Sequence, residues 1–294
     1  MSSGSLHGVL PVDKPRGPTS HDVVAVARRA LGVRRIGHTG TLDPFASGLL
    51  LLCVGEATRL AEFLTGMDKT YEATLRLGVA TTSGDLDGEA ISTSEAWRDV
   101  SPGALESALS AFRGPQEQTP PSLSAKKVGG VPAHRRVRRG EEVVLQPQAV
   151  TVHELDVLGF EPPELRLRIR CSSGTYVRAV ARDLGDSLGV GAHLTELRRT
   201  AIGGFGLGEA LSLDDLGMEA RVAGAMISPL RALESLARLS VDPASVADLG
   251  HGRPVDAGDF PDVGIAVAAC GSKLVAIGQV RSGRFLPRKV LAHG

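Results

Sequence analysis

Arg35-Ile36-Gly37-His38-Thr39-Gly40-Thr41-Leu42-Asp43-Pro44-Phe45-Ala46-Ser47-Gly48-Leu49-Leu50 is the stretch on which the reading of this chain turns. Its glycines permit tight turns and close backbone approach. Pro44 biases Asp43 out of the helical region and into an extended conformation. Leu49 to Val54 is apolar throughout and reads as a buried strand. Asp43 therefore stands on a stiff loop just ahead of a buried strand, where a carboxylate can be held in position. An ordinary Asp-Pro turn is the competing reading, and local physics alone favours it.

Upstream, Leu6 to Val12 reads as a strand that ends in the rigid loop Asp13-Lys14-Pro15-Arg16-Gly17-Pro18. Ser20 is the expected N-cap of a helix from about His21 to Leu31, with Val23, Val26, Ala27, Ala30 and Leu31 at helical spacing. Arg34 to Ser47 reads as loop. Downstream, Glu56 to Leu64 has the pattern of a short helix. Lys69 to Leu77 alternates strictly, with Tyr71, Ala73, Leu75 and Leu77 on one face. Thr81 to Glu89 is an acidic loop, and Ser101-Pro102 opens another helix.

The pattern breaks from Pro115 to Gln148, which is rich in proline and glycine and too long for an ordinary connector. Regular structure returns with strands at Val150 to Phe160 and Glu164 to Cys171. A helix from Thr175 to Leu188 and an extended run from Leu194 to Gly204 follow. A linking helix is expected from Ser228 to about Leu239. Residues 241–294 then read as a small β-rich unit with a short helix near Ala244 to Leu249. The division is a domain over 1–240, with an insertion at about 115–148, and a second unit over 241–294.

The formal net charge is zero, so any nucleic-acid footprint must be local. Cys53, Cys171 and Cys270 lack metal-ligand spacing, and their odd number argues against a disulfide framework. Residues 1–8 lack a signal-peptide pattern, and Leu49 to Val54 is too short to span a bilayer. A reducing, cytoplasmic location is expected. The phosphate-loop, dinucleotide-loop, zinc-protease and nucleophile-elbow motifs are all missing. What remains is a carboxylate acting without help, or a protein that only binds.

The segment around Asp43 closely resembles the catalytic motif of the TruB-type tRNA pseudouridine synthases, Gly-His-x-Gly-x-Leu-Asp-Pro-x-Ala-x-Gly-x-Leu. Every fixed position is met between Gly37 and Leu50. Val9 to Pro15 resembles the family's N-terminal motif, and Asp68-Lys69-Thr70-Tyr71 its tyrosine motif. Cys171 to Arg178 resembles the arginine motif, and Gly191 to Leu194 with Leu197-Arg198-Arg199 the late motif. The resemblance implies an α+β pseudouridine-synthase fold: a mixed, largely antiparallel central sheet flanked by helices. It also implies a small β-rich, PUA-like RNA-binding C-terminal domain. The implied enzyme is the stand-alone bacterial type, acting as a monomer and without a cofactor on the uridine at conventional position 55 of the TΨC loop. Its partner would be the T-arm of tRNA, with no membrane and no required protein partner.

By the same resemblance Asp43 is the nucleophile and Arg178 its ion-pair partner. The guanidinium would favour the charged carboxylate and lower its pKa. Tyr71 would stack on the flipped uracil and move a proton; Leu197 would pack on the base's other side and Tyr176 would wall the pocket. His38 would enter the space the flipped base leaves in the RNA. Lys14 is either structural or phosphate-facing, with neither reading preferred. The run Lys126, Lys127, Arg135, Arg136, Arg138 and Arg139 fits a phosphate-gripping arm and aligns with the family's thumb insertion. The family generally has a tyrosine near the position of His134, and this chain does not.

Overall fold

The computed structural model describes residues 6–291 apart from 125, 129, 134, 135, 137, 138 and 142. The chain runs β1 (Gly8–Lys14), the helix Ser20–Leu31, β2 (Ile36–His38), β3 (Ser47–Val54) and the short helix Ala61–Thr65. β4 (Lys69–Leu77), the small hairpin β5 (Val79–Thr81) and β6 (Ala90–Thr93), the helix Pro102–Ser110 and β7 (Gly114–Gln118) follow. Two tiny strands, β8 (Lys127–Val128) and β9 (Val131–Pro132), lie in the insertion. Then come β10 (Gln148–Glu161), β11 (Glu164–Cys171), the helix Val177–Ser187, β12 (Ala192–Ile202) and β13 (Phe205–Gly206).

The central sheet has the order β1-β3-β12-β4-β11-β10-β7, with β2 on β3 and β13 on β12. All of its ladders are antiparallel except the short parallel pairing of β12 with β3. This is the mixed, largely antiparallel sheet expected. β4 spans the expected residues, and its alternation buries Tyr71, Ala73 and Leu75 against the helices Pro102–Ser110 and Val177–Ser187, and Leu77 with Val190 and Ala192. β12 comes late in the chain yet lies between β3 and β4, bringing the late motif beside both Asp43 and Tyr71.

Several local expectations need correction. Thr19, not Ser20, caps the first helix. Its hydroxyl takes the Asp22 N–H while the Asp22 carboxylate takes the Thr19 N–H. Ser20 is instead buried and hydrogen-bonds the backbone of Leu42. Ile36–His38, read as loop, is an edge strand on β3. Glu56 to Leu64 divides into a 3₁₀ segment Gly55–Leu60 and the helix Ala61–Thr65. Pro115 to Gln118 is not irregular: β7 pairs with β10 in the sheet, so the insertion proper lies between Gln118 and Gln148.

The linking helix expected after Ser228 is absent. A 3₁₀ turn Arg231–Leu233 leads into a strand, β14 (Ala237–Ser240), and Leu239 is buried in the second core. Leucines at 230, 233 and 236 have a three-residue spacing, which a 3₁₀ turn satisfies as well as an α-helix does. The second sheet is completed by β15 (Val255–Asp256), β16 (Val263–Cys270), β17 (Lys273–Arg281) and β18 (Arg284–Val290), ordered β14-β16-β17-β18-β15, with the helix Pro243–Gly250 beside it. This sheet does not stand apart. Val267, Leu274 and Ile277 share one apolar cluster with Leu49, Leu51, Leu60, Leu64 and Leu233. Among the described residues no helix is long and apolar enough to cross a membrane.

Candidate active site

Asp43 sits on the loop between β2 and β3, and that loop is fixed from the N-terminal side. Lys14 is wholly buried, and its Nζ donates to Ala46 O at 2.7 Å, Pro15 O at 2.9 Å and Pro44 O at 3.4 Å. The Gly17 N–H donates to Pro44 O at 2.8 Å, and Ser20 Oγ holds both polar groups of the Leu42 backbone. Burial depresses the Lys14 ammonium to about 8. Of its two readings the contacts match the structural one: Lys14 lies beneath the loop and does not line the cleft. At the far end of the loop Gly48 has φ +106°, and a Cβ there would come within 2.2 Å of the Arg199 carbonyl on β12. Only glycine lets β12 approach so closely.

Arg178, near the start of the helix Val177–Ser187, meets the loop. Its Nε lies 3.0 Å from Asp43 Oδ2. Its NH1 donates to Ser83 O at 2.9 Å and lies 3.5 Å from Asp85 Oδ2, while NH2 donates to Leu123 O at 2.9 Å. The Arg178 side chain is 6% exposed, and that of Asp43 keeps 37%, open to the cleft. The expected lowering of the Asp43 pKa is not the net result. Burial raises it and Asp85 adds to the rise; Arg178 and Lys14 oppose, and the balance is upward. The ion pair restrains the shift without reversing it.

Tyr71 and Arg199 are register partners on β4 and β12. Arg199 is buried. Its Nε donates to Leu49 O at 2.8 Å and its NH2 to Gly40 O at 3.0 Å, so one guanidinium joins β3, the Asp43 loop and β12. Burial raises the Tyr71 hydroxyl pKa, and the adjoining Arg199 opposes that rise. His38 lies edge-on to His21 with ring centroids 5.3 Å apart, and burial lowers its pKa to about 4. Among the described residues its Nδ1 has no hydrogen-bond partner.

Asp43, Tyr71, Arg178, His38, Tyr176 and Leu197 all line one cleft of about 640 Å³, together with Lys69, Ser124 and Arg199. That volume suits one small ligand or an everted nucleotide. A carboxylate, a phenol and a guanidinium thus face a slot walled by Leu197 and aromatic rings. This set can bind a flat polar ring, attack it or its sugar, and move a proton. The basic run of the insertion is more dispersed. Lys126 Nζ donates to Gln148 Oε1 at 2.6 Å, Arg136 pairs with Glu141 at 2.6 Å, and Arg139 is exposed. Lys127 lies on β8; Arg135 and Arg138 fall outside the described residues.

Sequence reasoning gave no role to Asp85, Arg199 or Lys69. Asp85 was one acid in an acidic loop, and only the fold turns it onto Arg178. Arg199 and Lys69 lie within quoted motifs, so position in a motif was the signal at hand. Lys69 is buried, donates to Thr65 O and Met67 O at 2.6 Å each, and is depressed by burial to about 8.

The chain is similar to known proteins over most of its length. The profile described as TruB family pseudouridylate synthase (N terminal domain) matches residues 28–177, and that of the tRNA pseudouridylate synthase B C-terminal domain matches residues 178–235. The chain is 43% identical to the tRNA pseudouridine synthase B of Thermobifida fusca (strain YX), over 97% of this chain and 98% of that one. It is 42% identical to the tRNA pseudouridine synthase B of Parasynechococcus marenigrum (strain WH8102), over 97% of each. Among solved structures, a chain of a Cbf5-Nop10-Gar1 complex superposes with a TM-score of 0.76 at 27% identity, covering 97% of this chain and 84% of that one.

Proposed function

This chain belongs to the TruB family of pseudouridylate synthases, and from that premise we propose that it converts the uridine at conventional position 55 in the TΨC loop of tRNA to pseudouridine. The observation that carries the reading is the 3.0 Å pair of Asp43 and Arg178 in a cleft shared with Tyr71 and Leu197.

The reaction breaks the bond from N1 of uracil to the sugar C1′ and forms one from C5 to the same carbon. C5 loses a proton and N1 gains one, so no co-reactant is consumed. Asp43 is the nucleophile. Attack at C1′, attack at C6 and an assisted glycal route all begin from its ionised carboxylate. Arg178 fixes that carboxylate and keeps it charged against burial. Tyr71 stacks on the base and carries the proton, with Leu197 on the other side and Tyr176 at the wall. The uridine is flipped out of its stack at a cost of about a few kcal/mol, and His38 enters the RNA at the vacated place. Lys126, Lys127, Arg135, Arg136, Arg138 and Arg139 of the insertion hold T-arm phosphates. The C-terminal sheet is a PUA-like unit that extends the RNA contact, and the protein works as a monomer. The same grip assists tRNA folding.

Activity of the purified protein without any guide RNA is what the stand-alone type requires. The test is incubation of the purified protein with an unmodified tRNA transcript and chemical mapping of pseudouridine. Asp43→Asn should lower the rate by on the order of 10⁴-fold or more while tRNA affinity persists. Absence of the product from the wild-type reaction, or an unchanged rate in the variant, ends the reading.

A further inference from the structure

Gln118 is the last residue of β7 and Gln148 the first of β10, and the two are register partners. They form the neck from which the insertion leaves the sheet. Directly opposed residues of an antiparallel pair project from the same face. Both side chains go to one target, the turn ahead of the helix Val177–Ser187. Gln118 Oε1 accepts the Tyr176 N–H at 2.8 Å, and its Nε2 donates to Tyr176 O at 3.2 Å. Gln148 Nε2 donates to Gly174 O at 2.7 Å, while its Oε1 accepts from Lys126 Nζ at 2.6 Å.

The helix needs this support. Its N-cap, Tyr176, makes no side-chain capping bond, and the first turn of any helix has N–H groups without intrahelical partners. Gln118, at 3% exposure, brings a buried amide to that point from another part of the sheet. A buried amide used at both ends is costly to disturb. Two residues beyond Tyr176 comes Arg178, which itself donates to Leu123 O in the insertion. One turn later Arg182 NH2 donates to Thr119 O at 2.9 Å. Both limbs of the insertion are thus bonded to the segment that carries the partner of Asp43.

We propose that Gln118 and Gln148 are positioning residues that tie the seating of the insertion to the geometry of the Asp43–Arg178 pair. They set the entry of the helix, and the entry sets where the guanidinium points. An insertion displaced from its seat would draw Arg178 away from Asp43; an insertion held down on RNA would hold the pair closed. The inference rests on the proposed isomerisation.

The test uses the full-length protein and an unmodified tRNA transcript. Gln118→Met keeps the side chain's size and removes both bonds; Gln118→Glu keeps the acceptor for the Tyr176 N–H. Single-turnover rates are measured against pH, with tRNA affinity and melting temperature alongside. In Gln118→Met the plateau rate should fall about 10- to 100-fold, the scale of a 1 Å misplacement. Affinity should stay within about twofold, too small a change to account for that fall. The acid limb of the profile should move to higher pH, because Asp43 loses part of the charge that opposes its burial. Gln118→Glu should recover part of the rate. Gln148→Met, altering a half-buried side chain, should give the same pattern more weakly and replaces Gln118→Met if the latter does not fold. A fall in melting temperature with an unmoved acid limb would mean a structural role only and would overturn the proposal, as would an unchanged rate. An inactive wild-type protein would instead sink the isomerisation itself.

Discussion

Asp43 and Asp85 share one guanidinium: Arg178 places Nε 3.0 Å from the first and NH1 3.5 Å from the second. The two carboxylates act on each other through space with opposite consequences to the arginine. Asp85 orients Arg178, yet its charge also pushes the Asp43 pKa up, in the same direction as burial.

The sign of two substitutions follows. In the proposed reaction Asp43 attacks only when ionised, so activity should be present above its pKa and be lost as pH falls through it. Asp85→Asn removes a charge that raises that pKa, and the acid limb of the rate profile should move to lower pH. Arg178→Lys loses the fork that reaches both carboxylates, and the limb should move the other way. Its plateau should drop by about 10²- to 10³-fold. Single-turnover rates across pH measure both, and superimposable acid limbs would contradict the arrangement.

Tyr71→Phe keeps the ring and deletes the hydroxyl beside Arg199. tRNA affinity should be retained and the isomerisation rate reduced by about 10²- to 10⁴-fold, the usual worth of a positioned proton-transfer group. A rate equal to wild type would remove Tyr71 from proton transfer and leave it as a stacking surface.

His38 gives a stability prediction. Burial holds its pKa at about 4, against 6.5 for an ordinary histidine. Between those values the unfolded chain takes up a proton that the folded protein refuses. Stability therefore increases with pH through this window and is lost as pH falls from 6.5 to about 4. His38→Gln should flatten that dependence in denaturant titrations at successive pH values, and an imidazole titrating near its ordinary value in NMR would refute it.

The two sheets should unfold together. Ile277 of the second sheet is 1% exposed and lies in the same apolar cluster as Leu60 and Leu64. Ile277→Ala should cost about 2–5 kcal/mol and lower a single calorimetric transition, whereas two separate transitions would show independent units. For the same reason, removal of residues 241–294 strips cover from Leu60 and Leu64. Arg281, Arg284 and Arg288 are exposed basic residues of this unit, and point changes there are the cleaner probe of the RNA contact proposed for it.

Much was legible before any coordinates. The alternation of Lys69 to Leu77 gave β4 its residues and its inward face, because a half-buried strand must repeat every two residues. The glycines and Pro44 marked the Asp43 loop, and the motif match then selected Asp43, Tyr71 and Arg178, which the fold brings to one cleft. Less legible were segments whose local pattern suits two structures. Ser228 to about Leu239 read as a linking helix where the chain makes a 3₁₀ turn and a strand. Pro115 to Gln118 read as irregular although it is an edge strand, where a proline is tolerated because one side of the strand lacks a partner.

Local chemistry and periodicity in the sequence thus determined which residues could act and most of the elements that carry them. Only the tertiary structure decided that Asp85 meets Arg178, that Lys14 lies beneath the Asp43 loop, and that burial outweighs the arginine in setting the carboxylate's pKa. Those outcomes depend on solvent exclusion and on distances between residues far apart in the chain. Both arise from long-range pairings, β1 with β3 and β12 between β3 and β4, that no short window of sequence encodes.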